Sequence, residues 1–163
     1  MPFSHPQRSL LVEALNDAEE RTMEYYRIPP FRWEQLRYDL LTQKDTEWEP
    51  LPDPALARVR PVQQAHRDRL FDFYRIELND PGILAAARRE RLTDRLYPFF
   101  VYILTHEIVH MVRLSSILGE DADSLPPCDE AEERRVEDIS RRILTGSDFE
   151  PVLRRFCTGA IPL

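Results

Sequence analysis

Glycine is scarce in this chain, with four residues in 163, whereas proline occurs fourteen times. That imbalance argues against a sandwich of glycine-turned strands and favours helices separated by stiff, proline-marked connections. An excess of basic charge is missing as well. The formal net charge is −7, which excludes a protein that coats nucleic acid, whose footprint would be a basic patch. There are only two cysteines, Cys128 and Cys157, enough for one disulfide at most. The opening MPFSHPQRSL has no apolar core or cleavage site, so no export signal is visible and both thiols are expected to be reduced. No apolar run is long enough to span a bilayer; the longest, Leu96 to Leu104, leads straight into His106 and Glu107. Internal repeats and low-complexity segments are also lacking. The expectation is a single cytoplasmic domain, residues 1–163, with a real hydrophobic core and neither a membrane nor a nucleic acid as partner.

The predicted organisation is mainly α. Ser4 is a helix cap with Pro6 in the first turn, and Leu10, Leu11, Ala14, Leu15, Ala18 and Met23 mark one face of that helix. A second helix is expected from about Arg32 to Thr42, burying Trp33, Leu36 and Leu40. Residues 43–61 read as a proline-rich, mobile surface loop. Minor β elements are expected around 57–63 or 71–78. Asp80 as N-cap and Pro81 at the first helical position open the next helix, which is expected to run to about Thr93. A central helix spans about 95–118, apolar nearly all round and therefore buried on most sides, with Gly119 beyond its end. Asp129 and Glu132 have the spacing of a capping box, opening a helix of about 130–145.

The central helix carries LTHEIVHMVR, residues 104–113. At about 100° per residue, His106 and His110 lie ~40° apart and one turn along, so both imidazoles can reach one ion at about 2.0–2.1 Å. Glu107 falls ~60° from His110, close to such an ion without having to bind it. There a carboxylate can take a proton from an activated water and pass it to a leaving group. Two unpaired histidines and a glutamate inside a buried helix would be costly, and a metal removes that cost.

This His-Glu-x-x-His helix resembles the signature of the zincin metallopeptidases. The resemblance covers two helices, not the whole chain. It does not extend to the metzincin branch, because Arg113 and Ser116 stand where that branch has glycine and histidine. The gluzincin branch takes its third ligand from a following helix, and the resemblance implies that role for Glu133, with Glu137 one turn later where that branch usually has Asp or Asn. Glu132 lies nearer the centre of the stripe formed by Val136, Ile139 and Ile143, so it competes for the ligand position. What the resemblance implies is a zinc site of His106, His110 and Glu133 with a fourth position open to water, Glu107 as general base, and hydrolysis of a peptide or protein substrate.

For the residue assisting at the carbonyl oxygen, His66, Tyr74, Tyr97 and Tyr102 are all candidates. Arg113 can bind a substrate carboxylate or pair with an acid of the following helix. Glu107 and His110 also form Glu-x-x-His, the motif of di-iron bundles, but no second copy exists, which excludes that site. The rival reading is non-enzymatic, a helical scaffold or inactive relic keeping a structural metal, with Cys128 the first candidate for a fourth ligand.

Overall fold

The computed structural model describes residues 2–43, 55–63, 72–115 and 129–156. Its elements are α1 (His5–Tyr26), α2 (Pro30–Trp33), β1 (Leu36–Leu41), β2 (Ala57–Gln63), β3 (Asp72–Leu78), α3 (Asp80–Arg89), a 3₁₀ turn (Thr93–Arg95), α4 (Leu96–Leu114), α5 (Glu130–Ile143) and α6 (Glu150–Phe156). The architecture is mainly helical with one small sheet ordered β1-β3-β2, in which β1 is parallel and β2 antiparallel to β3. No helix among the described residues is long and apolar enough to cross a membrane.

α4 is the axis of the molecule. Twelve of its residues are buried, from Phe99 through Val112, on every side of the helix. α1 lies along it with Leu11, Ala14, Ala18 and Thr22 turned inward. The alanines let the two backbones approach closely, since neither puts more than a methyl group between them. Ser4 accepts the amide of Gln7 while the Gln7 side chain accepts that of Ser4, a reciprocal cap that starts α1. α5, β2 and α6 cover other sides of α4.

The segment LRYDLL does not continue a helix, as its Trp33, Leu36 and Leu40 spacing suggested. After the single turn of α2 it becomes β1, in parallel register with β3 from Leu36↔Asp72 to Leu41↔Glu77. The same residues alternate as a strand does, with Leu36 buried and Arg37 and Asp39 exposed. Pairing with a partner far along the chain decides between the two periods. β3 resolves similarly. Tyr74, Ile76 and Leu78 face the core, and on the opposite face buried Glu77 accepts Arg58 at 2.6 Å and Arg60 at 3.1 Å, both from β2.

Of the anticipated 43–61 loop, residues 57–61 belong to β2, where pairing with β3 satisfies their backbone; 44–54 lie outside the described residues, as do 116–128, with Gly119 and Cys128, and Cys157. The described part of α4 accordingly ends at Leu114, short of 118. α3 stops at Arg89 rather than near Thr93, because Arg91 turns left-handed (φ 58°) and Leu92 buries its side chain. Its cap is Asn79, which accepts the Gly82 amide at 3.1 Å. A Cβ on Gly82 would meet that side chain at 2.6 Å, so the tight cap requires glycine.

Asp80 does not cap α3; it is fully buried and accepts two distant amides, Phe3 at 2.8 Å and Gln43 at 3.0 Å. It thereby ties the start of α1 and the end of β1 to α3. Asp80→Ala would strand both donors and is expected to destabilise the protein by about 2–4 kcal/mol, readable as a lowered urea midpoint with an unchanged slope.

Candidate metal centre

α5 buries Val136, Ile139, Ser140 and Ile143 and packs against α4. Asp129 starts it by accepting the Glu132 amide at 2.9 Å. The reciprocal half of the expected capping box is not formed by Glu132, whose carboxylate turns instead to Arg113 of α4. Arg113 Nε donates to one carboxylate oxygen and Nη2 to the other, the latter at 3.0 Å. The rivalry between neighbouring glutamates is thus resolved spatially: Glu132 faces Arg113, and Glu133 faces the histidines.

Glu133 spans both imidazoles. Its Oε1 lies 2.6 Å from His106 Nε2 and its Oε2 3.0 Å from His110 Nε2. One donor atom from each of the three residues falls within 4.8 Å of the others, so the group could hold a metal ion. The imidazoles are nearly buried at 12% and 16% exposure, whereas Glu133 is 49% exposed. Ligands at about 2.0–2.2 Å around a tetrahedral ion stand about 3.3 Å apart. The Glu133 carboxylate stands closer to the imidazoles than that and must withdraw to admit an ion, and a half-exposed side chain has room to do so. Two imidazoles and one carboxylate form a donor set that zinc accepts. His106 Nδ1 is buried without a hydrogen-bond partner among the described residues.

Glu107 is buried beside this group and points into the same cavity, of about 460 Å³, as His106, Glu133 and Glu137. The other walls are Ala55, Leu56 and Ala57 at the start of β2, Tyr102 and Ile103 of α4, and Phe156 of α6. Phe156 stacks on Phe99 at 4.8 Å, which anchors that wall to the core. Sequence reasoning missed Leu56, Ile103 and Phe156 as cavity residues. Ile103 had a usable signal, three residues before His106 on the same helix; Leu56 and Phe156 carry none, being brought in by the sheet and by α6.

Of the four aromatic candidates for assisting at a carbonyl oxygen, Tyr102 borders the cavity. Tyr74 is fully buried in the core, Tyr97 donates to Asp17 of α1 at 2.9 Å, and His66 lies outside the described residues.

The electrostatics follow from burial and proximity. Burial opposes charge on His106, but its hydrogen bond to Glu133 and the fields of Glu107, Glu133 and Glu137 outweigh this and raise its pKa above the usual histidine value. Hydrogen bonds to His106 and His110 hold Glu133 well below the usual carboxylate range. Glu107 moves the other way, burial pushing it up more than the two histidines draw it down. Glu137 is also raised, by burial first.

The raised His106 contributes stability that is complete below its unfolded pKa and is lost as pH rises through the folded value. The lowered Glu133 contributes stability present above its unfolded pKa and lost as pH falls. These windows overlap between about pH 4.5 and 6.5. In chelator-treated protein, Glu133→Gln should therefore lower Tm most near about pH 5.5 and progressively less at higher pH, in melts run across that range.

Compared with known proteins, the chain matches no family model, no curated protein and no solved structure.

Proposed function

We propose that the chain is a zinc-dependent hydrolase of the zincin kind, and specifically a metallopeptidase acting on a cytoplasmic peptide or protein. The observation that carries this reading is the convergence of His106, His110 and Glu133 beside buried Glu107, at a cavity open to substrate. A zinc ion in that group would supply Lewis acidity to a carbonyl oxygen and lower the pKa of water towards about 7.

The remaining tasks fall to the chain. Glu107 takes the proton of the attacking water on its carboxylate and returns it to the departing amide nitrogen. Burial raises its pKa, which favours holding the proton between the two halves of that exchange. Tyr102, the aromatic candidate that borders the cavity, is the proposed donor to the carbonyl oxygen.

β2 pairs with β3 on one side only, among the described residues, and its first residue, Ala57, borders the cavity. Its open edge offers backbone groups to which an extended peptide can add as a further strand. The apolar walls Leu56, Ile103 and Phe156 favour an apolar side chain beside the cleaved bond. Glu107, Glu133 and Glu137 disfavour an acidic one.

Among the described residues three donors come together, and with water in the fourth position they would make a catalytic rather than a structural site. The test is to load the protein with zinc, incubate it with a mixture of unrelated peptides and read the products by mass spectrometry. Cleavage that stops with chelator and returns with zinc supports the proposal. Stoichiometric zinc with no cleavage of any peptide would sink the peptidase and leave a metal-binding scaffold.

A further inference from the structure

α4 presents His106, His110 and Arg113 along one stripe, at spacings of four and three residues. α5 answers it with Glu132 opposite Arg113 and Glu133 opposite the histidines. Glu132 and Glu133 differ by about 100° around their helix, so they leave α5 on different sides. The buried residues Val136, Ile139 and Ile143 fix which side of α5 faces inward, and their stripe is centred nearer Glu132. Burial alone turns Glu132 inward, to 6% exposure, and leaves Glu133 at the rim with 49%.

An inward carboxylate beside two imidazoles would compete with Glu133 for them unless something else held it. Arg113 does so. Its planar guanidinium grips both oxygens of Glu132 and is itself only 19% exposed. Arg135 approaches the same carboxylate at 3.7 Å from the solvent side. The buried hydroxyl of Tyr26, at the end of α1, lies within electrostatic reach of both partners, so the pair is enclosed by a third helix.

We propose that the Arg113–Glu132 ion pair holds the inward Glu132 carboxylate away from the histidines and out of the ligand set, making Arg113 a positioning residue for Glu133. The inference rests on reading His106, His110 and Glu133 as an ion-binding group. Buried ion pairs contribute little net stability compared with apolar packing, and their best-attested use is to select one register among several. An arginine is suited to that use because its fork admits one orientation of the partner, whereas a lysine would hold Glu132 as a point charge.

The experiment measures zinc affinity by chelator competition and Tm on the same samples. The variants are Arg113→Gln, Glu132→Gln, Arg113→Lys, and the exchange of Arg113→Glu with Glu132→Arg. Arg113→Gln and Glu132→Gln are each expected to weaken zinc binding by about 10–100-fold, the range for groups that orient ligands. The exchange variant should recover most of that loss, and Arg113→Lys should fall between. Should Arg113→Gln fail to fold, Arg113→Lys and the exchange variant carry the same comparison. A lowered Tm with unchanged zinc affinity throughout would mean that the pair is only structural, and the proposal would be overturned.

The imidazole nitrogen resonances of His106 and His110 in chelator-treated protein report the Glu133 contact without any metal. They should move in the Gln variants and return in the exchange variant; unchanged resonances would overturn the lock. Zinc-free wild-type protein that resists loading would count against the metal reading alone, and these resonances would still decide the role of Arg113.

Discussion

Glu107→Gln is expected to reduce peptide hydrolysis by about 10²–10⁴-fold while leaving the zinc content unchanged, as befits loss of a general acid–base group. The side chain is buried at 7% exposure next to both imidazoles but is not one of the three converging donors. Glutamine keeps its size and its place in the cavity while losing the ability to accept and return a proton. A second consequence separates this variant from a damaged protein. Burial raises the Glu107 pKa, so ionising it opposes folding, and that opposition grows as pH rises from the unfolded pKa through the folded one. In chelator-treated protein near neutral pH, the neutral amide should therefore melt no lower than the wild type, and higher if anything. Inactive protein with full zinc and an undiminished Tm is the predicted combination. Retention of hydrolysis would remove Glu107 from the mechanism.

The other large effect belongs to the ligand group. His110→Ala and Glu133→Ala should each bring zinc from about one per chain to background in elemental analysis, with affinity falling by well over the ~100-fold attached to groups that only orient ligands. Each removes one of three donors, and the remaining two cannot hold the ion against water. The two variants should differ when no metal is present. His110→Ala removes one imidazole from Glu133 and leaves the 2.6 Å contact with His106. Glu133→Ala leaves both imidazoles without their carboxylate. Zinc retained in Glu133→Ala but lost in His110→Ala would transfer the third position to Glu132 and contradict the geometry described above.

The amount legible in the sequence depended on how local each determinant is. The cap at Ser4, the all-round apolar α4 and the one-turn spacing of His106 and His110 are properties of a few consecutive residues, and a reading of the chain reaches them. β1 was misread because Leu36 and Leu40 satisfy a helical period as well as an alternating one. The deciding partner, β3, begins at Asp72. Asp80 was read as a cap for the same reason, since its two acceptor roles involve Phe3 and Gln43, which no local pattern connects to it. The choice between Glu132 and Glu133 lay deeper. A helical wheel ranks positions by how inward they point and puts Glu132 first, correctly, as its burial shows. The wheel cannot know that the inward position is already claimed by Arg113, which leaves the ligand role to the residue at the rim.

The edge of β2 that no described residue pairs with also bears on how the protein behaves at high concentration. Backbone groups that can receive an extended peptide can equally receive the same strand of a neighbouring molecule, the usual route to aggregates. Past the cavity, β2 carries Arg58 and Arg60, then Pro61, which has no amide to donate, and its pairing register shifts between Pro61 and Gln63. Charge, proline and irregularity together make the far half of the edge a poor template, while Ala57 beside the cavity has none of these features. Among the described residues, features that oppose edge-to-edge pairing are therefore confined to part of the strand. Replacing Pro61 with a β-branched residue would extend the sticky edge and favour self-association without touching a ligand.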